Sequence, residues 1–101
     1  MLTLKFETKL IHWKGPAPFF FAPVPSSEGA EIRRIAKFAT YGWGVIPVEA
    51  EIGGVRFRTS LFPKDETYLL PVKVEVRRRA GITEGDTVSV SMTVQSGRGR
   101  P

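Results

Sequence analysis

The sequence predicts a mostly β domain with one main helix, about six strands and one further short helical turn. Three observations carry this. Most apolar segments alternate with period two, as half-buried strands do. Two such runs meet at Gly53-Gly54, the turn chemistry of a tight hairpin. Helical spacing is confined to the segment after Pro25, apart from one short turn late in the chain.

Residues 2–11 read as the first strand, with Leu2, Leu4, Phe6, Thr8 and Leu10 on one face and Thr3, Lys5, Glu7 and Lys9 on the other. His12-Trp13-Lys14-Gly15-Pro16 reads as a turn, because Gly and Pro break the pattern. Residues 19–24 are apolar on both faces, as in a strand covered on both sides. Ser26 and Ser27 are N-cap candidates, and Glu28 and Glu31 suit a helix's positive end. Ile32, Ile35, Ala36 and Ala39 form the apolar stripe, with Arg33, Arg34 and Lys37 off it, and the helix is expected to stop within residues 40–44.

The hairpin follows. Ile46, Val48, Ala50 and Ile52 alternate with Pro47, Glu49 and Glu51; Val55, Phe57, Thr59 and Leu61 alternate with Arg56, Arg58 and Ser60. A two-residue loop sets Ile52 against Val55, Ala50 against Phe57 and Val48 against Thr59 on the core side. Outside, Glu51 faces Arg56 and Glu49 faces Arg58, which fixes register and adds ~0.2–1 kcal/mol per pair. Residues 62–66 read as a turn. Residues 68–76 read as a strand with Leu70, Val72, Val74 and Val76 on one face, made an edge or irregular strand by Pro71. Residues 77–82 are one helical turn ending at Gly81, and 83–86 a turn. Val88, Val90, Met92 and Val94 mark the last strand. This spacing favours an antiparallel or mixed barrel, with residues 1–95 one domain and 96–101 a flexible basic tail.

Composition bounds the function. The chain has 101 residues, enough for one domain with a true core. It has no cysteine and one histidine, which disfavours thiolate and imidazole metal centres and excludes a cysteine nucleophile. No cofactor is expected. Asp65-Glu66 lacks the repeated oxygen ligands of a calcium loop. Ser60, Ser89 and Ser91 stand outside any nucleophile elbow, and a triad would have to recruit His12. Tyr41-Gly42-Trp43-Gly44 has part of a glycine-rich loop, but it follows a helix and precedes a strand, the wrong order for a dinucleotide site. The start, Met1-Leu2-Thr3-Leu4-Lys5, lacks the basic and long apolar parts of a signal peptide, and no segment can span a bilayer. A soluble, cytoplasmic chain without a membrane partner is the expectation.

Two candidate surfaces remain. The net charge is +5, from 15 Lys+Arg against 10 Asp+Glu. Lys73, Arg77, Arg78 and Arg79, together with Arg33, Arg34 and Lys37, would form a nucleic-acid-binding surface if they converge, with Arg98 and Arg100 in the tail. A solvated face is the plain alternative. The aromatics exceed what so small a core must hold, so some of Trp13, Phe19, Phe20, Phe21, Trp43, Phe57 and Tyr68 are candidates for a ligand pocket, Trp13, Trp43 and Tyr68 foremost. A protein-interaction role and a monomeric or homodimeric state are equally compatible with the charge and spacing. The enzymatic question is open, with a non-catalytic module favoured.

A set of positions spread over nearly the whole chain resembles the bacterial family of domains of unknown function numbered 1905. They are Phe6, Leu10 and Trp13; Pro47-Val48, Ile52-Gly53-Gly54, Phe57, Thr59-Ser60-Leu61 and Pro63; Tyr68, Leu70-Pro71-Val72-Lys73; Val76-Arg77, Ala80-Gly81-Ile82 and Gly85-Asp86-Thr87-Val88. The resemblance implies a double-split β-barrel, similar to that of AbrB/MazE-type regulators and antitoxins. The local likeness is the run from Arg77 through Gly81 and Gly85-Asp86 to Val88. Those regulators build one barrel from two short chains, whereas 101 residues suffice for a barrel alone. The family brings no established activity, so it implies no catalytic residues.

Overall fold

A computed structural model of the chain describes residues 2–13, 19–39 and 46–94, and for residues 36–39 the backbone alone. The elements are β1 (Leu2–Lys9), β2 (Ile11–Trp13), β3 (Phe19–Pro23), α1 (Ser26–Ala39), β4 (Ile46–Ile52), β5 (Val55–Lys64), β6 (Thr67–Pro71), α2 (Val74–Ala80) and β7 (Thr87–Val94). The protein is mostly β with two helices. Its strands form a curled half-barrel of spatial order β1-β7-β4-β5-β6-β3-β2, with every pairing antiparallel.

The alternation read from the sequence becomes rows across the sheet. Phe6, Val90, Ile52 and Val55 lie in one register row; Leu4, Met92, Ala50 and Phe57 lie in the next. Burying each large aliphatic member of such rows contributes about 1.5–3 kcal/mol. The Gly53-Gly54 hairpin has the expected register, Ile52 opposite Val55 through Ile46 opposite Leu61. Both glycines take positive φ, 56° and 81°, which costs L residues a Cβ clash. Outside, Arg56 reaches Glu51 at 3.8 Å. Glu49 and Arg58 face each other in the ladder without closing to an ion pair, consistent with the small worth of exposed pairs.

Two strands pass between the halves of the sheet. β5 pairs β4 as far as Leu61 and then β6 from Phe62 to Lys64. The first strand breaks at Leu10: β1 pairs β7, and β2 pairs β3. Leu10 is buried and its backbone is stitched to the Gly85-Asp86 turn, N–H to the Asp86 carbonyl at 2.9 Å and carbonyl from the Gly85 N–H at 2.8 Å. This corner turns the expected single strand into two, so that the described residues hold seven strands where the spacing suggested about six.

Two further boundaries differ from expectation. β5 runs on through Pro63 to Lys64, and the turn shrinks to Asp65-Glu66, where Asp65 takes φ 56°. Asp is among the few non-glycine residues that tolerate this. β6 ends at Pro71, and α2 begins at Val74 rather than Arg77. Proline cannot donate to a ladder, so the valine alternation does not continue: Val72 and Val76 are buried, whereas Val74 is 55% exposed on the first helical turn. Gly81 ends α2 in the left-handed region, with its own N–H and that of Ile82 bonded to the Arg77 carbonyl, a glycine-closed helix end.

α1 packs along β6 through a glycine. Gly29 is buried in the first turns of α1, and its missing side chain admits Thr67. Thr67 in turn donates through Oγ1 to the Val24 carbonyl at 2.6 Å. Ile32 is fully buried and Ile35 packs against the core, as the apolar stripe requires. Among the described residues no helix is long and apolar enough to cross a membrane. The glycine-rich segment at 41–44 with Trp43, the Lys37, Ala36 and Ala39 side chains, and the tail with Arg98 and Arg100 lie outside the described residues.

Candidate anion-binding cleft

The residues around Phe20 are brought together by ladder register. His12 on β2 stands directly opposite Phe20 on β3, so their rings stack, with centroids 4.3 Å apart and planes 10° from parallel. The β3–β6 pairing continues past Pro71, where the Val72 N–H donates to the Phe20 carbonyl at 2.9 Å. α2 then folds back over this point. The Arg77 guanidinium carbon sits 3.6 Å from the Phe20 ring centroid, and Nε donates to the Val72 carbonyl at 3.2 Å. Two groups that close to one ring must occupy its opposite faces, so Phe20 is held between an imidazole and a guanidinium. The Gly85-Asp86 turn, docked on Leu10, carries Glu84 to 3.9 Å from His12 Nδ1.

Burial lowers the Arg77 guanidinium from its ordinary value, because a low-dielectric setting disfavours the charged form. None of the described carboxylates comes within ion-pair distance of it. Arg77 is thus a partly buried cation with no carboxylate partner among the described residues. Beside it opens a cleft of about 330 Å³ lined by Phe19, Phe20, Pro71, Val72, Lys73, Val74 and Arg77. The lining is apolar except for two cations and includes no acid. That volume is the lower end of what small ligands occupy. A second recess of about 590 Å³ lies at Lys5, Glu7, Glu51, Ser89 and Ser91. It carries both signs of charge, and Ser89 already donates to Glu7 at 3.4 Å.

The residues picked from the sequence fall in several places. Lys73 and Arg77 line the cleft; Arg78 and Arg79 follow on the exposed last turn of α2. Arg33 donates to the Glu66 carbonyl and Arg34 pairs with Glu31 at 3.3 Å, both on α1. Glu66 and Val72, the anchors of Arg33 and Arg77, stand at opposite ends of β6, about 20 Å apart at ~3.3 Å per residue. One ligand of ordinary size does not bridge them. Tyr68 is closed into the core at 6% exposure, whereas Trp13 is 46% exposed at the sheet's outer strand. Phe19 and Phe20 are the members of the aromatic set that line the cleft. Pro71, Val72 and Val74 escaped sequence reasoning, since alternation had assigned the valines to a strand.

No curated protein matches the chain at a significant level. A family model does, over residues 6–92, from the core of β1 through the last strand; its description is "Domain of unknown function (DUF1905)". That span takes in both sheet corners, the Gly53-Gly54 hairpin and the whole cleft, and the chain belongs to the DUF1905 family.

Proposed function

We propose that the protein is a non-catalytic binding module whose cleft between β3 and α2 takes an anion carried on a flat, apolar body. The supporting observation is Arg77, half-buried, stacked on Phe20 and without a carboxylate partner among the described residues. A desolvated cation gains most from an anionic ligand, and the Phe19, Val72 and Val74 lining gives that ligand an apolar seat. Lys73 supplies a second charge. Unfolding followed against 2-naphthoate, adenosine monophosphate and inorganic phosphate tests the reading. A ligand at ten times its dissociation constant adds about 1.4 kcal/mol to native stability. The aryl anions should raise the midpoint more than phosphate, and Lys73→Glu should abolish the shift. Absence of any shift, or a shift untouched by Lys73→Glu, overturns it.

A second reading keeps the same cleft and makes it part of a nucleic-acid surface. Arg78 and Arg79, exposed in the same last turn as Arg77 and without carboxylate partners among the described residues, favour it. Binding to phosphates should then weaken steeply with salt. On the fold, we read the curled sheet as a double-split barrel, supported by the passage of the first strand and of β5 between its two halves. A soluble, cytoplasmic setting remains our proposal on the same footing, checked by fractionation of the expressed chain.

A further inference from the structure

The cleft does not end at Phe19. Phe19 lines it and is 54% exposed, and directly opposite in the β2–β3 ladder stands Trp13, 46% exposed. Directly opposed residues share a face, with side chains about 4.5–5.5 Å apart. A further cation, the Lys64 Nζ, lies over the Trp13 ring, 5.0 Å from its centroid. The surface therefore brings together Lys73 and Arg77 at the cleft, the two half-exposed rings at its edge, and Lys64 over the second ring. Phe19 is also 6.1 Å from Phe21, which backs it from within the sheet.

Large aromatics left half open on a surface mark an interaction site rather than a core. Charge decides against a second copy of the chain as occupant, since each copy carries a net charge of +5 and the rings stand among cations. The pattern of cations flanking open π-faces matches instead a polyanion that carries planar groups at regular intervals. We propose that the β2–β3 surface binds single-stranded nucleic acid, with one phosphate at Lys73 and Arg77, successive bases on Phe19 and Trp13, and a further phosphate at Lys64. Stacking of this kind is sequence-tolerant, because every base has a π-face. A duplex keeps its bases stacked inside and cannot use the rings. This inference rests on the cleft being an anion site.

The test is fluorescence anisotropy of a labelled 15-nucleotide oligo(dT), with the duplex of equal length and thymidine monophosphate as competitors. The single strand should outcompete the duplex at low salt. Two phosphate contacts give a slope of log K against log salt near about −1.4, at ~−0.7 per contact for single strands. Trp13→Ala and Phe19→Ala should each weaken binding about tenfold in protein that remains folded, with a cooperative melt, since both rings stand half exposed outside the core cluster. No binding of the 15-mer, equal affinity for the duplex, or full affinity in both ring variants overturns the inference. So does a concentration-dependent dimer in sedimentation that Trp13→Ala abolishes, since the rings are then a self-contact. If 2-naphthoate binding sensitive to Lys73→Glu persists while the 15-mer fails, the cleft stands and the extension falls. If the 15-mer needs Trp13 and Phe19 but ignores Lys73→Glu, the cleft reading falls with the phosphate assigned to it.

Discussion

Replacing Gly29 with alanine sets two effects of opposite sign against each other, and the structure decides between them. In a solvent-exposed helix, Gly→Ala stabilises by up to about 1 kcal/mol, through the backbone entropy that glycine loses on folding. In α1 the new Cβ would point into β6. It would overlap Thr67 Oγ1 outright and stand 3.0 Å from Thr67 Cβ and 3.2 Å from Thr67 Cα. The hydroxyl cannot turn away freely, because it donates to the Val24 carbonyl at 2.6 Å; giving up that bond costs about 1 kcal/mol. The Cα is strand backbone, paired into the β5–β6 ladder three residues from Lys64, so the helix must move instead. Overpacking of this kind costs about 1–3 kcal/mol. The balance is a net loss of about 1–3 kcal/mol.

At about 4–8 °C per kcal/mol for a domain near 100 residues, Gly29→Ala should lower the melting midpoint by roughly 5–20 °C. Urea unfolding should show a lower midpoint at unchanged slope, the mark of lost stability without a change of unfolded state. Thr67→Ala removes the overlapping hydroxyl, so the double variant should lose less than the sum of the two singles, a coupling expected of groups in contact. A Gly29→Ala protein as stable as the parent, or strict additivity with Thr67→Ala, would refute the close approach of α1 to β6.

Other consequences follow from the same structure. Arg77→Ala removes the stack on Phe20 and the bond to Val72, and should cost about 1–3 kcal/mol by chemical denaturation; Arg77→Met, which keeps an apolar stem over the ring, should recover part of it. Gly54→Ala, with φ 81° and open space around its Cβ, should cost about 1–2 kcal/mol for backbone strain alone. Gly53→Ala should cost more in the same melt, because its Cβ also comes to 3.2 Å from the Ala80 Cβ. A double-mutant cycle on Glu51 and Arg56 should give a coupling of no more than about 0.5 kcal/mol that vanishes in 1 M salt, since the 3.8 Å pair is open to water.

Much of the sheet was legible because its code is local. Alternation from Ile46 to Leu61 around two glycines leaves one register, and the ladder has it. The stripe through Ile32 and Ile35 likewise marked a helix face. What sequence alone missed depended on events between distant segments. Nothing in residues 2–11 reveals that Leu10 gives its backbone to Gly85 and Asp86 and so breaks the strand. The alternation Leu70, Val72, Val74, Val76 is a sound strand pattern, yet the structure ends the strand at Pro71 and leaves Val74 exposed. Both misreadings occur where the chain leaves one half of the sheet for other pairing or for a helix, and period-two reasoning carries no information about that departure.

The same departures build the cleft. If the first strand had run straight to Ile11 with a turn at His12, the imidazole would not stand opposite Phe20, and β2 would not present Trp13 beside Phe19. If the fifth expected strand had run on to Val76, Arg77 would lie beyond the sheet rather than fold back to the Val72 carbonyl. Arg77 was visible in the sequence as one of three consecutive arginines, and composition gave no reason to separate it from Arg78 and Arg79. The structure separates them by stacking: Arg77 lies over an aromatic ring and is partly buried, while its two neighbours are exposed. A charge held that way has already lost part of its hydration, so a bound anion gains more from it than from a free arginine. On the proposed anion site, the run of three arginines supplies one anchoring cation and two that only add to the field around it.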